Sequence, residues 1–316
     1  MMLQISTQLD SQAVIRIAES AQRNGYYGVT IPEQIGSSED ALITIGALSQ
    51  RCDGLHFMTH VLNHHARHPL ALAMSASTLS HLTSGRFILG LGTGAYSTLQ
   101  TMNLEDPHPI AKIGESIGII RRHLAGEEVT FNGEYYSVSS ARLTHGKKRD
   151  AVPIYVAAIQ EKAVRFVSKT ADGILLSNCS TPEYVQHVSR IIKTNTEGRE
   201  FQVACTISYL PVSDSSEGLK SARAIVERYL VMPGIGEALL SGSWVDPKIL
   251  ADMRKGDHGG LTDEMVESMV VIGDQDRLME RLERLKKAGV TTPIITTLPG
   301  FIEQVARLPK DLGFAE

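Results

Sequence analysis

Short β-branched or apolar runs alternate along the chain with longer stretches in which apolar residues recur every three or four positions, the period of an amphipathic helix. The first run, Leu3–Ser6, precedes a predicted helix over Ser11–Asn24, with Val14, Ile15, Ala18 and Ala21 on one face and Gly25 as its stop. Gly28–Ile31 is followed by a helix over Glu39–Gln50, and Leu55–His60 by one over His68–Leu82, where Pro69 suits the first turn. A fourth strand, Arg86–Gly90, runs into Gly90-Leu91-Gly92-Thr93-Gly94. Pro107 and Pro109 postpone its helix to about Ile110–Leu124, which predicts a long loop between. Ile154–Ala157 with Glu161–Thr170, Gly173–Leu176 with Pro182–Lys193, and Gln202–Tyr209 with Gly218–Leu230 repeat the unit three more times. An amphipathic helix over Asp274–Ala288, stopped by Gly289, leads to a last strand, Pro293–Thr297.

Two segments break the alternation. Val129–Val138 reads as a small β-hairpin with Asn132-Gly133 as a type I′ turn, and the glycine-punctuated stretch Met232–Gly260 reads as an insertion. About eight strand–helix units in 316 residues fit an α/β fold closed as a (β/α)8 TIM barrel, with the hairpin after the fourth unit and the insertion before the last. An open doubly wound sheet is the alternative. The expected organisation is one domain over residues 1–316, with the insertion at about 230–265.

Composition narrows the partners. Apolar residues make up 42% and charged residues 21%, enough apolar side chain for a large core. A net charge of -4 gives no diffuse positive field for a polyphosphate backbone, so a nucleic-acid partner is not expected. No apolar run reaches the length of a membrane span, so no membrane partner is expected either. Cys52, Cys179 and Cys205 lie far apart without CxxC spacing, which argues against a disulfide scaffold or a zinc ribbon. With no secretory segment at Met1–Asp10, the expected compartment is the cytoplasm.

Candidate chemistry gathers at the C-terminal ends of the predicted strands, where a barrel keeps its active site. The run Gly90-Leu91-Gly92-Thr93-Gly94-Ala95 has the form of a dinucleotide fingerprint, but that motif needs a helix beginning at the glycines, and here the helix is predicted late. Glycines at a barrel mouth let the backbone pass close to a flat ligand; a tight strand exit explains them equally well. Five of eleven histidines, His56, His60, His64, His65 and His68, fall between the third strand and its helix. A metal pair from His64 and His68 would need a continuous helix, which Pro69 disfavours, so no metal is expected. The same histidines suit general acids or donors to a ligand carbonyl, with solvated loop positions for at least three of them. Glu33, ending the second strand, puts a carboxylate at the mouth, where partial burial would raise its pKa towards that of a proton donor; a solvated acid is the plain alternative. Arg254, Lys255 and His258 could meet an anionic ligand tail or lie in a solvated loop.

Arg67-His68-Pro69, Leu79-Ser80-His81-Leu82-Thr83-Ser84-Gly85-Arg86 and Leu89-Gly90-Leu91-Gly92-Thr93-Gly94 together resemble the bacterial-luciferase-like flavin and deazaflavin oxidoreductases. The likeness extends through the hairpin, Val152-Pro153-Ile154-Tyr155-Val156-Ala157-Ala158, and Thr170-Ala171-Asp172-Gly173 to Asn178. Lys255-Gly256-Asp257-His258-Gly259-Gly260 and Val271-Ile272-Gly273-Asp274 resemble the methylenetetrahydromethanopterin reductases that use coenzyme F420.

The resemblance implies a TIM barrel, a homodimer, and a non-proline cis peptide at His60-Val61 against the central ring of the cofactor. It places that ring near Thr93, Gly94 and Thr98, and the phosphate tail on Ala157, Ala158 and Gln160 at a helix N-terminus, with Asn178 completing that side. Glu33 and His60 are the candidates for proton handling, with His64, His65 and His258 in reserve. The chain departs from the family where Glu33 replaces a frequent His, where Ala95 replaces an acid, and where the phosphate loop is poor in glycine and followed by Glu161. The expected activity is hydride transfer between the C5 carbon of coenzyme F420 and a small organic substrate. The alternatives are an FMN-dependent monooxygenase of the same fold and a non-enzymatic ligand-binding member that has lost its cofactor.

Overall fold

Eight parallel strands close on themselves in the computed structural model, which describes residues 1–93, 96–104, 106–143, 152–232, 234–241 and 246–308. In chain order the strands are β1 (Met2–Gln4), β2 (Gly28–Ile31), β3 (His56–Thr59), β4 (Leu62–Asn63), β5 (Phe87–Gly92), β6 (Val129–Asn132), β7 (Ser137–Ala141), β8 (Ile154–Ala157), β9 (Gly173–Leu176), β10 (Gln202–Leu210), β11 (Val271–Ile272) and β12 (Thr292–Thr296). The barrel runs β1-β2-β3-β5-β8-β9-β10-β12. Closure comes from β12 pairing β1 at Met2↔Ile294, which removes the open-sheet alternative. Short β4 continues the line of β3 after a break and pairs β5, while β11 extends the sheet beside β10.

Helices begin where the chain offers caps. The Asp10, Asp40, Thr181, Asp214 and Asp274 side chains each accept a backbone N–H of the following turn, so the helix expected from Glu39 starts at Ala41 and the one expected from Asp274 at Gln275. Gly289 ends the last long helix at φ 114°, a conformation open to glycine at little cost.

Two local expectations are corrected. The residues between the fourth strand and its long helix are not all loop: Tyr96–Thr101 is helical, since no helix breaker falls within that run, and the prolines delay only Pro109–Leu124. The hairpin does not turn on Asn132-Gly133. Neither residue has the positive φ of a type I′ turn, and Gly133–Tyr136 form a four-residue connection closed by Gly133 N–H donating to the Tyr136 carbonyl. What overrides the local turn signal is Glu115, on helix Pro109–Leu124, whose carboxylate accepts the N–H groups of Glu134, Tyr135 and Tyr136 at 2.8, 3.0 and 3.0 Å. Between helix Ser215–Leu230 and β11 lie three short helices, Ile235–Ser241, Pro247–Met253 and Asp263–Met269, where the insertion was expected.

Strand period two sorts the barrel residues into two environments. Leu3, Val29, Phe57, Leu89, Ile154, Ile174, Cys205 and Ile295 point outward under the helices, in the main hydrophobic cluster. Met2, Met58, Ile88, Tyr155, Leu175, Ala204 and Ile294 point inward and fill the barrel as a separate apolar plug. Two residues further along the strands, on the same inward face, stand Gln4, Thr30, His60, Gly90, Ala157, Thr206 and Thr296. Apolar and bulky below, polar and small above: that change puts the chemistry at the C-terminal mouth.

Candidate active site

His60 reaches across the barrel interior. Its Nδ1 lies 3.4 Å from the Thr30 hydroxyl on β2 and its Nε2 3.3 Å from the Thr206 hydroxyl on β10, so both ring nitrogens have partners. Burial pushes its pKa down to about 4, leaving a neutral ring at neutral pH, with a donor on one nitrogen and an acceptor on the other. The His60–Val61 peptide is cis, at the position the resemblance indicated. Val61 then turns towards β5, where a Cβ on Gly92 would lie 2.5 Å from Val61 Cγ2, and one on Gly90 would lie 1.9 Å from the Thr59 carbonyl oxygen. Gly90 and Gly92 therefore admit the chain's own close approach at the strand exit, in keeping with the tight-exit reading of the glycine run.

Glu33 is held by an ion pair. Arg67 donates from Nη1 to Oε1 at 2.7 Å and from Nη2 to Oε2 at 2.8 Å, and Nη2 also donates to Asp40 Oδ2 at 2.6 Å. The Ala41 N–H adds a weaker contact at 3.3 Å, and the Glu33 side chain is 3% exposed. The hydrogen bonds to Glu33, followed by those to Asp40, hold the Arg67 guanidinium well above its ordinary pKa. Both Glu33 oxygens are thus occupied by a permanent cation, and the carboxylate ties the end of β2 to the turn after β4. Glu33 is neither the loosely buried acid nor the solvated one that the sequence suggested.

On the opposite side of the barrel, Ala157 ends β8 facing inward, Ala158 is buried, and Gln160 caps helix Glu161–Thr170 by backbone alone, leaving its first N–H groups available. Tyr184 secures this loop by donating its hydroxyl to the Ile159 carbonyl at 2.6 Å. Glu161 is engaged elsewhere: Oε1 meets His187 Nε2 at 2.8 Å and Oε2 meets Arg165 Nη2 at 3.4 Å. Asn178 donates Nδ2–H to the Tyr229 hydroxyl at 2.8 Å, while its Oδ1 is buried with no partner among the described residues. Gln4 Oε1 at the end of β1 and Thr297 Oγ1 after β12 share that condition. A buried acceptor without a donor costs about 1–3 kcal/mol, so such atoms at a barrel mouth mark where a ligand can be met. Thr93 is half-buried beyond β5 and Thr98 is buried in helix Tyr96–Thr101; Gly94 and Ala95 lie outside the described residues. Of the basic residues towards the C-terminal half, Arg254 pairs Glu237 at 2.6 Å and His258 pairs Glu227 at 3.0 Å.

The histidines are less exposed than expected, since only His68 of the five is solvated. It caps helix Pro69–Leu82, with Nδ1 accepting the Leu70 N–H at 3.2 Å. His56 stacks on Tyr27 with ring centroids 3.9 Å apart. His64 groups with His65 and with Asp106 instead of with His68: Asp106 Oδ2 is 3.0 Å from His65 Nε2 and 3.9 Å from His64 Nε2, and Lys112 Nζ is 3.3 Å from Oδ1. Thr30, Thr206, Arg67 and Asp106 act on these sites and were not predicted to. Thr206 left a signal, since Thr206 and Ser208 alternate with apolar residues in an otherwise apolar strand. Asp106 left none, because it lies 38 positions beyond His68.

The family model for luciferase-like monooxygenases matches residues 3–292, and the chain belongs to that family. It is 29% identical over 297 residues to the 5,10-methylenetetrahydromethanopterin reductase of Methanolobus tindarius, covering 89% of this chain and 90% of that one. It is also 29% identical over 211 residues to the F420-dependent glucose-6-phosphate dehydrogenase of Nakamurella multipartita, covering 62% of each. The coenzyme F420-dependent tetrahydromethanopterin reductase structure from Methanopyrus kandleri superposes with a TM-score of 0.82 at 21% identity, over 98% of this chain and 97% of that one. Family and barrel thus agree with the resemblance carried by the sequence motifs.

Proposed function

We propose that this protein is an oxidoreductase that uses coenzyme F420 to move a hydride to or from a small organic substrate bound at the C-terminal mouth. The observation that carries this reading is the polar upper lining of the barrel, with the Gln4 and Asn178 side-chain oxygens buried there without donors among the described residues. A flat heterocycle bearing amide-type N–H groups would supply them. Relatives whose names state F420 dependence support the cofactor class.

When bound, the deazaflavin supplies a hydride donor or acceptor at C5. His60 and Val61 would support the ring from the β3 side, with Thr93 and Thr98 beyond β5; Gly94, expected beside them, lies outside the described residues. The N–H groups at the start of helix Glu161–Thr170, with Ala157, Ala158 and Gln160, would hold the anionic tail, while Asn178, expected on that side, offers an acceptor that suits a ring N–H and not an anion. His60 carries one proton on Nδ1 or Nε2 and accepts a threonine hydroxyl at the other nitrogen, so it can pass a proton without becoming cationic. Glu33, locked by Arg67, fixes the β2 exit beside it and acts as a positioning residue.

Titration of the purified protein with coenzyme F420 and, separately, with FMN tests the reading. We expect the deazaflavin to bind and to raise the melting temperature, and Asn178→Ala to weaken its binding by about two- to tenfold, the value of one hydrogen bond. Tight FMN binding with no response to the deazaflavin would instead favour the family's monooxygenase chemistry. No stabilisation by either would favour a member that has lost its cofactor.

We also propose a homodimer formed through helices Ala41–Leu48 and Pro69–Leu82, which pack side by side and carry Ile43, Met74 and Leu82 at 75%, 56% and 40% exposure. A cytoplasmic setting is proposed from the three buried, unpaired cysteines.

A further inference from the structure

We propose that His64, His65 and Asp106 form a binding site for one divalent transition-metal ion of the zinc type, with His64 Nε2, His65 Nε2 and Asp106 Oδ2 as ligands. The three ligand atoms lie within 4.8 Å of one another, with 3.0 Å and 3.9 Å between the carboxylate oxygen and the two imidazole nitrogens. In a tetrahedral zinc site with bonds of about 2.0–2.1 Å, ligand atoms stand roughly 3.3 Å apart, a spacing these two distances bracket.

Burial supplies a second, independent observation. The His64 side chain is fully buried and both of its nitrogens lack a hydrogen-bond partner among the described residues, and Asp106, 1% exposed, has its Oδ2 unpartnered in the same sense. Without an ion the set does not satisfy itself. The His65 contact to Oδ2 is not aligned as a hydrogen bond, and even if it were, His64 would keep two unpaired nitrogens.

Ligand chemistry sets the class of ion. Two imidazoles and one carboxylate suit zinc and its first-row neighbours, whereas calcium and magnesium prefer all-oxygen sets. Lys112 opposes a cation by its charge, but it sits on Oδ1 and orients the carboxylate so that Oδ2 faces the histidines. The His64 and His65 rings lie close together, with centroids 3.8 Å apart and planes tilted by 38°. An ion here would tie the turn after β4 to the segment entering helix Pro109–Leu124, stiffening one wall of the mouth. This inference does not depend on which cofactor the barrel binds.

The test uses the full chain, stripped with a chelator, dialysed, and titrated with Zn2+ by calorimetry and with Co2+ by visible absorption. We expect one tight Zn2+ per chain and a Co2+ spectrum with the strong ligand-field bands of a four- or five-coordinate N/O site. Asp106→Asn and His65→Gln should each weaken Zn2+ binding by about 100-fold, whereas His187→Gln, at the exposed His187–Glu161 pair, should leave it unchanged. Either of two results would overturn the proposal: a Co2+ spectrum identical to the aquo ion, or Zn2+ stoichiometry and affinity unaffected by both ligand substitutions. The Co2+ spectrum of the unmodified protein keeps the test decisive if a variant fails to fold.

Discussion

Replacing Arg67 by alanine isolates the ion pair that fixes the β2 exit. In the folded protein its guanidinium makes two hydrogen bonds to Glu33, at 2.7 and 2.8 Å, and one to Asp40 at 2.6 Å. Without it the Glu33 carboxylate, 3% exposed, keeps only the Ala41 N–H at 3.3 Å. A buried charge stripped of its partner costs about 3–5 kcal/mol, while Asp40, at 38% exposure, adds less than about 1 because water screens it. At roughly 2.1 cal/mol/K per residue, unfolding a chain of 316 residues carries an entropy of about 0.7 kcal/mol/K, so the melting temperature should fall by roughly 5–8 °C. Differential scanning calorimetry at pH 7 reads this directly. The double variant Arg67→Met with Glu33→Gln removes both charges and should recover most of the loss. A fall below about 2 °C for the single variant, or a double variant as unstable as the single, would refute the claim that this pair holds the loop. Burial works to raise the Asp40 pKa, but the Ile43 N–H and the Arg67 guanidinium outweigh it and hold it below its ordinary value of 3.8. The Asp40 share of the stabilisation is therefore present above pH ~4 and fades as pH falls through the folded pKa.

His60 and His64 titrate near 4 in the folded chain and at an ordinary 6.5 when unfolded, in both cases chiefly through burial. The unfolded state thus binds more protons between those values, and stability falls as pH drops from 6.5 towards 4, by on the order of 3 kcal/mol per ring. Melting curves from pH 7 to 4.5 should show that slope, and His60→Asn should remove its share while leaving those of His64 and of His56, His65 and His123, which burial also lowers; a flat profile would contradict the burial assigned to the rings. Gly92→Ala would set a Cβ 2.5 Å from Val61 Cγ2 and force the bulge to move, costing about 1–3 kcal/mol and weakening cofactor binding; unchanged affinity would separate the bulge from the site. Glu115→Ala removes the carboxylate that accepts three N–H groups of the hairpin turn, so amide exchange at Glu134–Tyr136 should accelerate, with a stability loss of about 1–2 kcal/mol; unchanged exchange would mean that the turn holds itself.

Residues that act through local periodicity are legible in the amino-acid order alone. Strand and helix positions follow from apolar spacing and caps, and eight such units imply closure, because period and capping involve neighbours within a few residues. The motifs from Arg67 to Gly94 carry the family for the same reason: they are contiguous. The tertiary structure alone decided what each polar residue meets. Glu33 reads as a free acid until Arg67, 34 positions on, takes both its oxygens. His60 reads as an acid until burial across the barrel, between Thr30 and Thr206 from two other strands, keeps it neutral. Asn132-Gly133 reads as a turn until Glu115 from a neighbouring helix captures the next three N–H groups. His64 and His65 acquire Asp106 only because the chain returns to them before helix Pro109–Leu124. Burial and charge pairing depend on distance through space, and sequence spacing carries that distance only within an element.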